Sequence, residues 1–252
     1  RDENGWTLEP IRFVYPPELE SDRPPTEIKI PPNLYIVGTV NVDETTHAFS
    51  PKVLDRAFTL ELTDVDLSVY PPFNQSKPDI SADLRRSIIH DFTQDGQFIR
   101  IDKQSIVQYV SNHTEYQGRL ERLNKLLRPH DLHFGYRVFD EIIQFMCSVE
   151  RNELFSNLSG SEAAFDAAVL MKVLPKFHGS RGRLEAPLVS ILAWCSNPDT
   201  PDEALIKSNL QKSDFDPALD ALNQIDYFYP KTAERVKRML ATLFRTGFAA
   251  FG

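Results

Sequence analysis

From residue 81 to residue 246 the chain repeats one pattern, in which apolar side chains recur three and four residues apart. That spacing lines one face of an α-helix. The stretches Ser81 to Phe92, Lys103 to Arg128, Tyr136 to Glu150, Glu162 to Leu174, Leu184 to Cys195 and Thr232 to Thr246 all carry it. In the third, Val138, Ile142, Phe145, Met146 and Val149 form one stripe. In the last, Val236, Met239, Leu240, Leu243 and Phe244 do the same, which leaves Lys231, Arg235, Lys237 and Arg238 for the opposite surface or its margins. Helices apolar on one side must bury that side, so these segments predict a compact helical bundle.

The upstream third reads differently. Residues 1–33 are rich in Pro, Glu and Asp, and Pro16-Pro17, Pro24-Pro25 and Pro31-Pro32 each remove backbone donors. An exposed, irregular segment follows, with short edge strands at Ile11 to Tyr15 and Thr26 to Ile30. Leu34-Tyr35-Ile36-Val37 is a continuous apolar run between Asn33 and Gly38, which predicts a central strand of a parallel sheet. Ser50 before Pro51 predicts a capped short helix to Arg56. The alternation in Ala57 to Leu62 predicts a second strand. Strand, loop, helix and strand make one α/β unit. After Asp66 the linker YPPFNQSKPD marks a domain boundary, giving a first domain of residues 1–66 and a second of 67–252.

Charge and reactive residues narrow the chemistry. Against 36 acidic residues stand 28 Lys and Arg, a formal charge of -8, which repels a nucleic-acid backbone on average yet leaves room for a local basic patch. Lys172, Lys176, His178, Arg181 and Arg183 form such a run, and Lys237, Arg238 and Arg245 lie on the last helical stretch. Cys147 and Cys195, the only two cysteines, sit among apolar neighbours and read as buried free thiols. His130 and His133 lack the spacing of a metal site, so no metal ligands are assigned. There is no GxSxG elbow. No run of eighteen apolar residues occurs, and the first ten residues do not read as a secretory signal, so a cytoplasmic home is expected.

The segment NLYIVGTVNVDETTHAFSPKVLDRAF, residues 33–58, resembles the sensor-1 strand, short helix and arginine-finger region of McrB-type AAA+ NTPases, the motor subunits of 5-methylcytosine-specific restriction systems. HFGYRVFDEI, MKVLPKFHGSRGRLEAPL and YPKTAERVKRMLATLFRTGF are similar, more loosely, to the helical lid of the same group. The resemblance implies an α/β fold: a partial AAA+ P-loop NTPase core over residues 1–66 followed by an all-helical lid domain over 67–252.

The resemblance also implies site residues. Asn41 matches the sensor-1 amide that orients attacking water; by its own chemistry it reads equally as a loop cap. Arg56 matches the finger presented to a neighbouring subunit's nucleotide, against a local pair with Asp55 or Glu61. Arg137 matches the sensor-2 cation that contacts bound nucleotide, against local pairing with Asp140 or Glu141. The phosphate loop GxxxxGK[ST] is missing, since the chain has no Gly-Lys dipeptide. No apolar strand runs directly into Asp-Glu, and Asp43-Glu44 is the nearest candidate for a magnesium-binding pair. The expectation is therefore a C-terminal fragment of an ATPase or GTPase motor, inactive alone. ATP or GTP with Mg would bind the intact protein and not bind this chain tightly. Implied partners are identical subunits in a ring, a nuclease subunit and DNA, with no membrane. The alternative is a non-catalytic helical module that binds protein or DNA.

Overall fold

The computed structural model describes residues 2, 5–15, 25–31, 34–39, 50–62, 68, 81–93, 103–151, 160–210 and 215–251. Contacts divide the chain into two units, Arg1–Asn41 with Asp64–Ile101, and Val42–Thr63 with Asp102–Gly252. The second unit thus takes in residues 42–63, whereas the sequence reading divides the chain after Asp66.

In the first unit, β1 (Ile11–Arg12) pairs antiparallel with β2 (Glu27–Ile28), with Ile11 opposite Ile28 and Arg12 opposite Glu27. The Phe13 amide extends the pairing to the Thr26 carbonyl, and Arg12 Nε lies 3.0 Å from the Glu27 carboxylate. Both strands fall inside the expected edge segments. The run Leu34 to Val37 behaves otherwise: it joins no strand, and Ile36 and Val37 are 85% and 92% exposed. A continuous apolar run becomes a central strand only when other strands flank it, and none does among the described residues.

The second unit contains α1 (Pro51–Leu54), α3 (Lys103–Asn112), α4 (Thr114–Leu127), α5 (Tyr136–Arg151), α6 (Ser161–Lys172), α7 (Arg181–Ser196), α8 (Glu203–Leu210), α9 (Phe215–Asn223) and α10 (Pro230–Thr246); α2 (Ala82–Thr93) belongs to the first unit. The α/β expectation fails here. Among the described residues the chain is mostly helical, and its strands make two separate two-stranded antiparallel sheets, with no parallel sheet of the P-loop NTPase kind. The expected strand over 57–62 does not form: Ala57 lies in a bend, and residues 58–62 carry no strand and join neither sheet.

Local chemistry explains the helix ends. The single helix expected over 103–128 is broken at His113, whose φ of -133° and ψ of 62° leave the helical region. Its ring Nδ1 lies 3.1 Å from the Tyr109 carbonyl oxygen, which can only accept, so Nδ1 carries the proton. At α10, Pro230 occupies the first turn, and buried Asp166 on α6 accepts the amides of Lys231 and Thr232 at 2.8 and 2.9 Å. A carboxylate from another helix thus caps amides that have no partner within their own. The same helix ends at Gly247, whose φ of 77° suits glycine and whose amide reaches the Leu243 carbonyl. From there β4 (Phe248–Ala250) pairs antiparallel with β3 (His178–Ser180), which leads directly into α7.

Between these helices lies one aromatic core. The Trp194 and Tyr229 rings stack with centroids 4.7 Å apart, and Phe165 lies 4.8 Å from Tyr116 and 5.5 Å from Tyr229. Such pairs contribute about 0.5–1.5 kcal/mol each beyond the area they bury. Trp194 Nε1 donates to the Arg119 carbonyl at 3.1 Å, and the buried Arg119 guanidinium donates to both Glu162 oxygens at 2.8 Å and to the Tyr229 hydroxyl at 3.0 Å. Cys195 is fully buried in this core and Cys147 half-buried, and neither is in a disulfide.

Candidate functional site

Lys172 ends α6 with its side chain wholly buried. An ammonium has three donors and no tolerance for burial without partners. Here Nζ donates to the carbonyl oxygens of Asp55 and Ala57, each at 3.0 Å, and forms an ion pair with Glu141 on α5. It also sits 4.9 Å from the centroid of the Phe58 ring, which in turn stacks on Phe145 at 5.9 Å. The lysine therefore fastens the turn after α1 to the helices.

Three more contacts continue the attachment. Lys176 pairs with the Asp55 carboxylate, the Thr59 amide donates to the Met171 carbonyl at 3.0 Å, and Arg235 on α10 lies 3.1 Å from Glu61. Burial pulls the Arg235 guanidinium below its ordinary value, and the Glu61 charge works against that shift. Along residues 57–62 the side chains then alternate: Ala57, Thr59 and Glu61 are half-buried, while Phe58, Leu60 and Leu62 are 41%, 73% and 95% exposed. The amides of Leu60 and Leu62 donate to no carbonyl among the described residues. The result is an edge of alternating burial, pinned along its inner side, with exposed apolar side chains at alternate positions and two amides that have no carbonyl partner among the described residues.

Of the sequence-assigned residues the structure describes Arg56 and Arg137, and no hydrogen bond or ion pair among the described residues joins the two. Asn41 lies outside the described residues, as do Asp43 and Glu44. Arg56 is exposed in the turn after α1 and makes no ion pair among the described residues; its expected local partners, Asp55 and Glu61, are held by Lys176 and Arg235. Arg137, near the start of α5, is also exposed without an ion pair, and Glu141 is committed to Lys172.

The basic run disperses in the same way. Lys172 is buried, Lys176 is paired with Asp55, and Arg181 lies 2.7 Å from Glu185 with its guanidinium 3.8 Å from the Phe244 ring centroid. On α10, Lys237 and Arg238 both pair with Glu234. Only Arg183 of the run is both strongly cationic and without an ion pair among the described residues. No group of three or more metal-binding side chains occurs among the described residues, and no helix there is long and apolar enough to cross a membrane. Sequence reasoning missed the part played by Lys172 and by the outward face of Leu60 and Leu62. The alternation over 57–62 was its only signal.

A family profile described as a domain of unknown function (DUF8727) matches residues 87–248. That span includes Glu141, Lys172, Lys176 and Arg235, the side chains that hold the edge, and excludes the edge itself. No curated protein and no solved structure matches the chain.

Proposed function

We infer, for a chain that belongs to the DUF8727 family of domains of unknown function, that it acts as a non-catalytic helical module in the cytoplasm that binds a partner protein. The carrying observation is the pinned edge over 57–62. Exposed apolar side chains at alternate positions, with amides at Leu60 and Leu62 that have no carbonyl partner among the described residues, match an extended partner chain, because only extended backbone offers donors and acceptors at the same two-residue repeat. The occupant is therefore a partner strand with apolar residues at alternate positions. It adds beside residues 58–62 and covers Leu60 and Leu62. An exposed apolar edge is a liability that proteins otherwise blunt with charge or proline. Protein is favoured over nucleic acid because most of the basic run is neutralised internally, which leaves little charge to release counterions from a phosphate chain. Free thiols such as Cys195 fit a reducing compartment.

Selection of a displayed heptapeptide library on the whole chain tests this reading. Winning peptides should alternate apolar residues, bind the wild type, and lose binding to Leu60→Pro and Leu62→Asp. Peptides that bind both variants as well as the wild type overturn it.

A further inference from the structure

A second feature lies away from the edge, where α3 packs against α5. Tyr109 and Asn112 from α3, His113 from the break after it, and Cys147 and Glu150 from α5 line an open surface depression of about 270 Å³ together with Ser105 and Gln108, with Gln108, Asn112 and Glu150 at its exposed rim. That volume is at the small end for ligand sites. It suits one small head group or one side chain.

The lining has a definite chemical character. Glu150 is its one carboxylate, and among the described residues neither Lys nor Arg lines it. The Tyr109 and His113 rings stack on one another, 4.2 Å between centroids and 24° between planes, and both share the lining with the Glu150 carboxylate. Because His113 Nδ1–H donates a hydrogen bond to the Tyr109 carbonyl, Nε2 is the ring nitrogen left to accept whenever the imidazole is neutral. Gln108 and Asn112 add amide oxygens. Burial, followed by the neighbouring Tyr116 phenol and the Glu150 carboxylate, raises the Tyr109 phenol above its ordinary range, which keeps it from ionising. Acceptors, one carboxylate and two aromatic rings around a small depression are complementary to a flat or compact organic cation.

We propose that the recess between α3 and α5 is a binding site for an alkylguanidinium or alkylammonium group, held by Glu150 beside the Tyr109–His113 stack. The group comes either from a free small amine or from an Arg or Lys side chain of a partner. The chemistry is the same for both.

Cys147 supplies the readout, since it lines the depression and is half-buried, whereas Cys195 is wholly buried and serves as an internal control. The full chain is treated with iodoacetamide, and alkylation of each cysteine is followed by mass spectrometry in the presence of N-methylguanidinium or its neutral isostere N-methylurea. The cation should slow Cys147 labelling at concentrations around 1 mM, a reasonable affinity for so small a ligand. N-methylurea should not. Glu150→Gln keeps the shape, sits at an exposed position that folding tolerates, and should weaken protection by about tenfold. No protection by the cation, equal protection by the urea, or protection unchanged in Glu150→Gln each overturns the site. A short Arg-containing peptide that protects at least about tenfold better than N-methylguanidinium identifies a partner side chain as the source, and equal protection identifies a small molecule.

Discussion

Replacing Lys172 by methionine tests whether the helical unit holds the 55–62 segment by the contacts described. Methionine fills similar space and removes the ammonium. The change leaves Glu141, whose side chain is only 19% exposed, without its counter-charge, and frees the Asp55 and Ala57 carbonyls that each accept at 3.0 Å. Breaking one partner of a buried ion pair costs about 3–5 kcal/mol. For a unit of this size each kcal/mol shifts the melting temperature by about 2–4 °C, so Lys172→Met should melt roughly 6–20 °C lower. Adding Glu141→Leu removes the stranded carboxylate and should recover about half of that loss. The two carbonyls remain without their donor, so recovery stays incomplete. Urea denaturation gives the stability change, and hydrogen exchange of the Thr59 amide reports whether the segment has let go of Met171. If Lys172→Met costs under about 1 kcal/mol, or the double variant is less stable than the single one, the lysine does not act as the fastener argued here.

Asp166→Ala removes two amide-capping bonds from α10 and should cost about 1–2 kcal/mol by urea denaturation, while Asp166→Asn, which keeps one acceptor oxygen, should cost less. For Glu203 and Glu234, burial raises the carboxyl pKa, but hydrogen bonds from Lys207 and Ser190, and from Arg238 and Lys237, outweigh it and hold both below their ordinary 4.5. Their stabilisation is therefore present above pH 4.5 and lost as pH falls through the lower folded values. Asp166, raised by burial, acts in the opposite sense, so the check is a difference: Glu203→Gln with Glu234→Gln should flatten the acid loss of stability seen in the wild type. Arg56→Ala should leave stability within about 0.5 kcal/mol, since the side chain is exposed and outside any ion pair among the described residues. Finally, Mg-ATP and Mg-GTP at about 1 mM should leave the melting temperature unchanged, because ligand binding to the folded state alone raises it; a rise of several degrees with either would favour the motor reading over the module.

The helices were legible because they announce themselves locally. The stripe Val138, Ile142, Met146 and Val149 is buried on α5, and Val236, Met239, Leu240 and Leu243 are buried on α10, as their spacing requires. Ends were less legible. The break at His113 depends on a ring-to-carbonyl contact that no hydrophobic period encodes. Helix α8 escaped notice although Asp202 caps it, accepting the amides of Ala204 and Leu205; eight residues are too few for a periodic signal. The strands failed for a different reason. Whether Leu34 to Val37 and Ala57 to Leu62 become strands depends on neighbours elsewhere in the chain, and strand propensity records only that a segment suits a pleated, half-buried surface.

The same limit explains the basic run and bears on the proposal of a protein over a nucleic acid as the partner. A sequence shows Lys172, Lys176 and Arg181 as near neighbours and invites reading them as one electrostatic surface. In the fold Lys172 turns inward to Asp55 and Glu141, Lys176 reaches Asp55 across more than a hundred residues of chain, and Arg181 folds back onto Glu185 and Phe244. Each carboxylate that neutralises one of them is far away, or looks incidental, when the sequence is read in order. Those cations are spent on fixing residues 55–61 and the start of α7, so the charge run becomes a structural clasp. What the clasp leaves outward is apolar, at Leu60 and Leu62, where the amides have no carbonyl partner among the described residues, and that combination is why a polypeptide strand is proposed in place of a phosphate backbone.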